Sequence, residues 1–171
     1  MRYAQIRETD IANGVGIRTS LFVQGCPLHC PNCFNEEFQN FSGGREWNET
    51  IQQKFIDLGK RSFIVGYSIL GGEPMAQDEQ MLNLLQAIKK QTGKSIWMWT
   101  GYTFETLTDF QKSMLPYLDY LVDGRFVEEL KDPKLRFRGS SNQRIIDVPH
   151  TLETGKLTEW NAEYRHLNLA K

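Results

Sequence analysis

The sequence has no cysteine outside one short segment, "GCPLHCPNCFN", which carries three cysteines at positions 26, 30 and 33. Because three is an odd number, the thiols cannot all pair, which argues against the disulfide framework of a small secreted protein. The N-terminal residues mix charged and polar side chains and lack the apolar core of a signal peptide. We therefore expect a cytoplasmic protein whose thiols stay reduced.

Long apolar runs and an excess of charge are also missing. The longest apolar runs, "SLFVQG" and "FIVGYSIL", fall well short of the roughly 20 residues that a transmembrane helix needs. The 20 basic and 21 acidic residues balance to a net charge of -1, so no basic surface for nucleic acid is indicated. We expect neither a membrane nor a nucleic acid as a direct partner. A chain of 171 residues with 40% hydrophobic side chains fits one domain.

Strand and helix patterns alternate along the chain. Apolar and β-branched runs predict strands over residues 18–24, 62–70, 94–100 and 119–124. Apolar periodicity predicts helices over residues 50–59, 77–93 and 103–118. This alternation is typical of an α/β domain with a parallel sheet and crossover helices. We expect that domain over residues 1–149, with "RIIDV" as a last strand, and a weakly ordered C-terminal tail over residues 150–171.

Three thiols on one loop after a predicted strand indicate a metal centre. A structural zinc site closes four ligands around the ion, and the nearest fourth candidate, His29, is so tightly flanked by Cys26 and Cys30 that its ring cannot easily turn to the same metal. A 4Fe-4S cluster is the more natural occupant because its irons take cysteine thiolates. Cys26, Cys30 and Cys33 would hold three irons and leave the fourth open to a substrate or cofactor. Zinc, or no metal, remains an alternative from the spacing alone.

A second segment, "GGEP" at residues 71–74, follows the second predicted strand. Gly71 and Gly72 carry no Cβ and let the backbone approach a ligand closely. Glu73 offers a carboxylate to a cationic group, and Pro74 stiffens the turn. Alone, the segment is more typical of an ordinary turn, and its position after the cysteine loop is what gives it weight.

Together, the C-x3-C-x2-C spacing and this glycine motif resemble the radical S-adenosylmethionine superfamily. The segment "NGVGIRTSLFVQGC" is similar to the one that opens the glycyl-radical-enzyme activases. The segments "WTGY", "LVDGRF" and "RGSSNQR" resemble the branch that activates anaerobic ribonucleoside-triphosphate reductase, and the resemblance runs from about residue 3 to about residue 148. It implies a partial, open (β/α) barrel with parallel strands, which is a cut-down version of the superfamily core.

The resemblance also implies roles for individual residues. The three cysteines would hold the cluster, and the methionine end of S-adenosylmethionine would be held by Gly71, Gly72, Glu73 and Pro74. Thr100 and Asp123 end the third and fourth predicted strands, where parallel α/β folds present site residues, and we expect them in the cofactor site.

Two further groups are left open by the sequence. The sequence leaves open whether six residues contact the cofactor or the partner enzyme or lie in a solvated loop. These residues are Arg125, Arg138, Ser140, Ser141, Asn142 and Arg144. Many superfamily members carry an aromatic residue before the third cysteine, and Asn32 stands there instead. The contact to adenine is therefore unassigned.

The activity implied by the resemblance is that of an oxidoreductase. A reduced cluster would cleave S-adenosylmethionine to methionine and a 5'-deoxyadenosyl radical, which would take hydrogen from a glycine of the reductase. The expected partners are the large subunit of anaerobic ribonucleoside-triphosphate reductase and a low-potential electron donor such as flavodoxin. Two alternatives stay open: a radical enzyme acting on a small molecule, similar to the carboxy-deazaguanine synthases, and a non-catalytic iron-sulfur electron-transfer module. The module would need a fourth protein ligand.

Overall fold

A seven-stranded sheet forms the centre of the computed structural model, which describes residues 1–160. The strands are β1 (Arg2–Asp10), β2 (Arg18–Gln24), β3 (Arg45–Glu46), β4 (Gly66–Gly71), β5 (Ser95–Trp99), β6 (Tyr120–Asp123) and β7 (Arg144–Asp147). The α-helices are α1 (Glu49–Gly59), α2 (Glu79–Thr92), α3 (Asp109–Lys112) and α4 (Val148–Thr154).

The strands lie in the order β3-β1-β2-β4-β5-β6-β7, and the sheet is not closed on itself. β2, β4, β5 and β6 pair in parallel, whereas β1, β3 and β7 pair with their neighbours in antiparallel orientation. The predicted α/β class is confirmed, and so is the parallel pairing of the four central strands. The outer strands make the sheet mixed rather than purely parallel.

Several predicted elements have different bounds in the structure. β2 has the predicted bounds, and β7 covers the first four residues of the predicted strand "RIIDV", whose Val148 instead begins α4. β4 begins only at Gly66, because Phe63, which is about half exposed, belongs to the turn after α1. The predicted helix over residues 103–118 is mostly wrong. Only α3 is α-helical there, and a 3-10 turn that begins at Leu115, with Pro116 at its start, follows it.

Helix α2 was predicted nearly correctly, because its apolar periodicity and its end signals agree. The Asp78 side chain accepts a hydrogen bond from the Gln80 N–H and caps the first turn. Gly93, with φ of 63°, ends the helix in the left-handed conformation that glycine adopts without strain. One face of the helix is buried, through Met81, Leu84, Leu85 and Ile88.

The main hydrophobic core lies between the sheet and helices α1 and α2, with Leu21, Ile69 and Met98 on the sheet side. Because side chains alternate along a strand, the opposite face carries a different set, including Arg18 and Trp97. Arg18 is buried, and it donates to the carbonyl oxygens of Tyr67 (2.7 Å) and Ser95 (2.9 Å). Burial lowers the pKa of Arg18 to about 10. This second face borders the cleft described below.

The end of the chain is described only as far as residue 160. The predicted boundary of the tail at residue 150 falls inside α4, and Glu159 forms an isolated bridge with Ile146. The rest of the predicted tail, residues 161–171, lies outside the described residues. Within residues 1–160, no helix is both long and apolar enough to cross a membrane.

We expect Leu85→Ala to lower the free energy of unfolding by about 2–5 kcal/mol, because it opens a cavity in the main core. Leu82→Ala on the same helix is the matched control. Leu82 is only partly buried, and its loss should cost about 1 kcal/mol or less. Anaerobic urea titrations followed by circular dichroism measure both variants. Equal effects of the two substitutions would contradict this assignment of the buried face.

Candidate metal and cofactor site

The loops that follow β2 and β4 meet at the carboxyl end of the parallel strands. Val23 pairs with Gly71 in the register of the two strands. The Gly72 N–H donates to the Val23 carbonyl and the Glu73 N–H to the Gly25 carbonyl, each at 2.8 Å. A Cβ on Gly72 would lie 2.4 Å from the Gly25 oxygen. Only glycine fits there, so the glycine motif is what allows the two loops to lie side by side.

The three cysteines lie on the first of these loops and all line one cleft of about 510 Å³. Each cysteine is partly buried and free. The Cys33 sulfur accepts a hydrogen bond from the Asn35 N–H at 3.5 Å. Burial raises the pKa of the Cys26 thiol, although the backbone N–H groups of Leu28 and His29 oppose the shift. A metal ion that binds Cys26 would therefore have to displace the thiol proton.

Glu73 joins the glycine loop to the end of β5. Its side chain is 1% exposed and accepts three hydrogen bonds, from the Met75 N–H (2.9 Å), the Thr100 hydroxyl (2.7 Å) and the Gly101 N–H (2.7 Å). Burial raises the pKa of Glu73 to about 7, and the three donors lower it only in part. Glu73 and Thr100, both predicted site residues, thus lie in direct contact at the cleft.

The far wall of the cleft is the segment between β6 and β7. Gln143 holds this segment in shape, because its side-chain oxygen accepts from the Gly139 N–H (2.8 Å) and its amide donates to the Gly124 carbonyl (2.9 Å). Arg125 donates to the Leu28 carbonyl at 2.7 Å and so connects this segment to the cysteine loop. The wall also supplies aromatic and basic side chains, namely Phe126, Lys131, Phe137 and Arg138.

Asp123 does not line the cleft. It is buried and accepts hydrogen bonds from Arg144 Nε (2.9 Å) and from the Phe104 N–H (2.8 Å). Arg144 also contacts both oxygens of Glu105, and this contact lowers the pKa of Glu105 to about 2. Asp123 and Arg144 therefore form an ion-paired group beside the cleft.

The other residues singled out in the sequence take different positions. Pro74 begins a short 3-10 turn and is buried. Arg138 lines the cleft and donates to the Gln143 carbonyl. Ser140 accepts from the Val127 N–H, Asn142 donates to the Arg125 carbonyl, and Ser141 is exposed.

Sequence reasoning missed the amide side chains that connect the loops. Asn35 Nδ2 donates to the Gly71 carbonyl (3.1 Å), and Gln77 Nε2 donates to the Glu73 carbonyl (3.1 Å). Asn35 therefore joins segments that are distant in the sequence, and Gln77 does the same through a second bond to the Gln24 carbonyl (3.3 Å), whereas Gln143 fixes the segment between β6 and β7. The only available signal was their place beside a motif: Asn35 follows the third cysteine by two positions, and Gln143 lies within "RGSSNQR".

The three cysteines fit a 4Fe-4S cluster in chemistry and in position. Such a cluster offers each thiolate an iron of its own, and Cys26, Cys30 and Cys33 line the same cleft.

Comparison with known proteins gives the family. Residues 12–146 match the 4Fe-4S single cluster domain, so a cluster domain is present. Proteins called anaerobic ribonucleoside-triphosphate reductase-activating protein are 42% identical in Vibrio cholerae and 40% identical in Escherichia coli K12, over 85% of this chain and 97% of each relative. The chain belongs to this family. The protein of the same name from Enterobacteria phage T4 is 36% identical over 85% of this chain and 93% of its own length.

The buried carboxyl group of Glu73 should make stability depend on pH. The pKa of Glu73 is about 7 in the folded protein, whereas its ordinary value is 4.5. Between these two pH values Glu73 is ionised in the unfolded chain but protonated in the folded one, so raising the pH favours unfolding. We expect the free energy of unfolding to fall by about 2 kcal/mol from about pH 5.5 to about pH 7 and to level off above.

Glu73→Gln is the matched control, because it cannot ionise. The difference in free energy of unfolding between wild type and variant, measured anaerobically by denaturant titration, should carry the pH dependence. An infrared band of a protonated carboxyl group should also vanish in the wild type as the pH rises through about 7 and be absent from the variant. Identical pH profiles for the two proteins would contradict the assignment.

Proposed function

We propose that the protein is an activase that uses a 4Fe-4S cluster to cleave S-adenosylmethionine reductively and to generate a glycyl radical on anaerobic ribonucleoside-triphosphate reductase. The observation that carries the proposal is the shared cleft. Three cysteines, the glycine loop and Thr100 line it together, in a chain whose relatives are named as activating proteins of that reductase.

The cluster would be held by Cys26, Cys30 and Cys33, and its fourth iron would remain open to the cofactor. The carbonyl-rich backbone of Gly71 and Gly72, with Pro74 behind it, would hold the methionine end of S-adenosylmethionine. When bound, the reduced cluster supplies the electron that cleaves the cofactor and yields the 5'-deoxyadenosyl radical. The chain's own part is to bind, to orient and to exclude water.

Glu73 and Thr100 support this role through their fixed geometry. Three donors hold the Glu73 carboxyl group in place before any ligand binds, and a nearby cationic ammonium would favour its ionised form. Asp123 acts from behind the cleft, because its contacts to Arg144 and Phe104 fix the segment that follows β5. Aromatic side chains, among them Trp99 and Phe126, keep the cleft walls apolar.

The open sheet supports a protein substrate. We propose that the domain over residues 1–149 is a cut-down radical S-adenosylmethionine core, a partial (β/α) barrel whose missing strands leave a side entrance. A glycine-bearing loop of the large reductase subunit would enter there. A low-potential donor such as flavodoxin, in the cytoplasm, would reduce the cluster.

The first test is anaerobic reconstitution with iron and sulfide, reduction with dithionite, and addition of S-adenosylmethionine with and without the large reductase subunit. We expect 5'-deoxyadenosine, and a glycyl radical signal in electron paramagnetic resonance only when the subunit is present. Cys30→Ala should abolish both, since one iron loses its thiolate.

The outcomes separate the alternatives. Deoxyadenosine without a glycyl signal would indicate a radical enzyme with a small-molecule substrate. An intact, reducible cluster that leaves S-adenosylmethionine uncleaved would indicate an electron-transfer module and would overturn the proposal.

Thr100 offers a second test of the cofactor site. Thr100→Val removes the hydroxyl that donates to Glu73 at 2.7 Å, and we expect about tenfold weaker binding of S-adenosylmethionine, because hydrogen bonds to charged groups contribute about 1.5–3 kcal/mol. Thr100→Ser keeps the hydroxyl and should bind nearly as the wild type does. Titration of the reduced cluster signal with the cofactor measures both affinities. Equal affinity in Thr100→Val and wild type would remove Thr100 from the site.

A further inference from the structure

Asn35 contacts both halves of the candidate site. Its backbone N–H donates to the Cys33 sulfur at 3.5 Å, and its side-chain amide donates to the Gly71 carbonyl at 3.1 Å. Cys33 is a cluster-ligand candidate, and Gly71 begins the glycine motif. One residue therefore connects the cluster loop to the cofactor loop directly, at the edge of the cleft that both loops line.

The carbonyl of Gly71 needs such a partner because it lies beyond the ladder between β4 and β5. The pairing of β4 with β5 ends at Ile69 and Met98, two residues before Gly71, so β5 offers no N–H at this level. A backbone carbonyl without a partner is costly when it is shielded from water. The Gly71 carbonyl is an acceptor, so the side-chain amide of Asn35 must turn its nitrogen, which is its donor, toward it.

The rest of the cysteine loop holds Asn35 in place. The Asn35 carbonyl accepts from the Phe38 N–H at 2.9 Å, and the Phe38 carbonyl accepts from the Gly25 N–H at 2.7 Å. Asn35 is thus anchored through a short 3-10 turn to the end of β2. The Asn35 side chain then spans the gap between this loop and β4. The backbone hydrogen bonds from Gly72 and Glu73 bridge the same gap at a different point.

We propose that Asn35 is a positioning residue that sets the distance between the cluster ligand Cys33 and the glycine loop that holds the cofactor. The inference rests on the proposed function. Loss of the side-chain bond leaves the three cysteines and the backbone N–H to Cys33 intact, so cluster assembly should survive. The glycine loop keeps its backbone bonds to Val23 and Gly25 but loses its connection to the part of the cluster loop beside Cys33, so cofactor affinity should fall.

The test compares Asn35→Ala and Asn35→Asp with the wild type after anaerobic reconstitution. Iron content and the electron paramagnetic resonance spectrum of the reduced cluster are measured first without S-adenosylmethionine. The cofactor is then titrated, and its dissociation constant is taken from the change in that spectrum. We expect wild-type iron content in Asn35→Ala and a dissociation constant about two- to tenfold higher than that of the wild type. Asn35→Asp should lose more, because its carboxylate faces the Gly71 carbonyl.

Gln39→Ala is the matched control. Its side-chain amide pairs with His29 at 3.0 Å in the same loop but does not touch the glycine loop, so cofactor affinity should stay at the wild-type value. Unchanged affinity in both Asn35 variants would overturn the inference, as would a loss of iron with unchanged affinity in the loaded fraction. A wild type that shows no spectral response to the cofactor would instead overturn the proposed function, and the inference with it.

Discussion

The parallel pairing of β2 with β4 is the constraint on which the whole candidate site depends. Because the register sets Val23 beside Gly71, the cysteine loop and the glycine loop leave the sheet at the same level. The two backbones then approach so closely that a side chain at residue 72 would collide with the Gly25 carbonyl. A ligand bound by one loop therefore lies within reach of the other, which no motif achieves alone.

Burial gives Glu73 properties that an exposed carboxylate would lack. The side chain has almost no contact with water, yet three donors fix both of its oxygens. The position of the Glu73 side chain is thus fixed before a ligand binds. Its charge is not fixed, because its pKa lies near neutrality. A cation in the cleft would stabilise the ionised form. By thermodynamic linkage, ionisation would strengthen cation binding to the same extent, so affinity and charge state depend on each other.

The sequence predicted the elements whose signal is local and strong. β2 and α2 have clear apolar patterns and end at glycines, and their bounds were close to those of the structure. β1 was missed because its burial is irregular and its pairing with β2 carries bulge-like register shifts. The contact between Glu73 and Thr100 could be anticipated from the shared strand ends. The position of Asp123 could not, because its partner Arg144 lies on an antiparallel strand that only the tertiary structure places beside it.

Side-chain hydrogen bonds to backbone carbonyls complete the site where regular structure ends. Beyond the last ladder bond of a strand, a carbonyl must find another donor or face water. Asn35, Gln77 and Gln143 supply neutral donors at such points, and Arg125 supplies a charged one. Neutral amides suit a cleft that gathers three thiols and a buried carboxyl group, since further carboxylates would repel thiolates. The cysteine loop, the glycine loop and the segment between β6 and β7 are thereby held together around the cleft, and this connection, more than any single motif, makes the motifs a site.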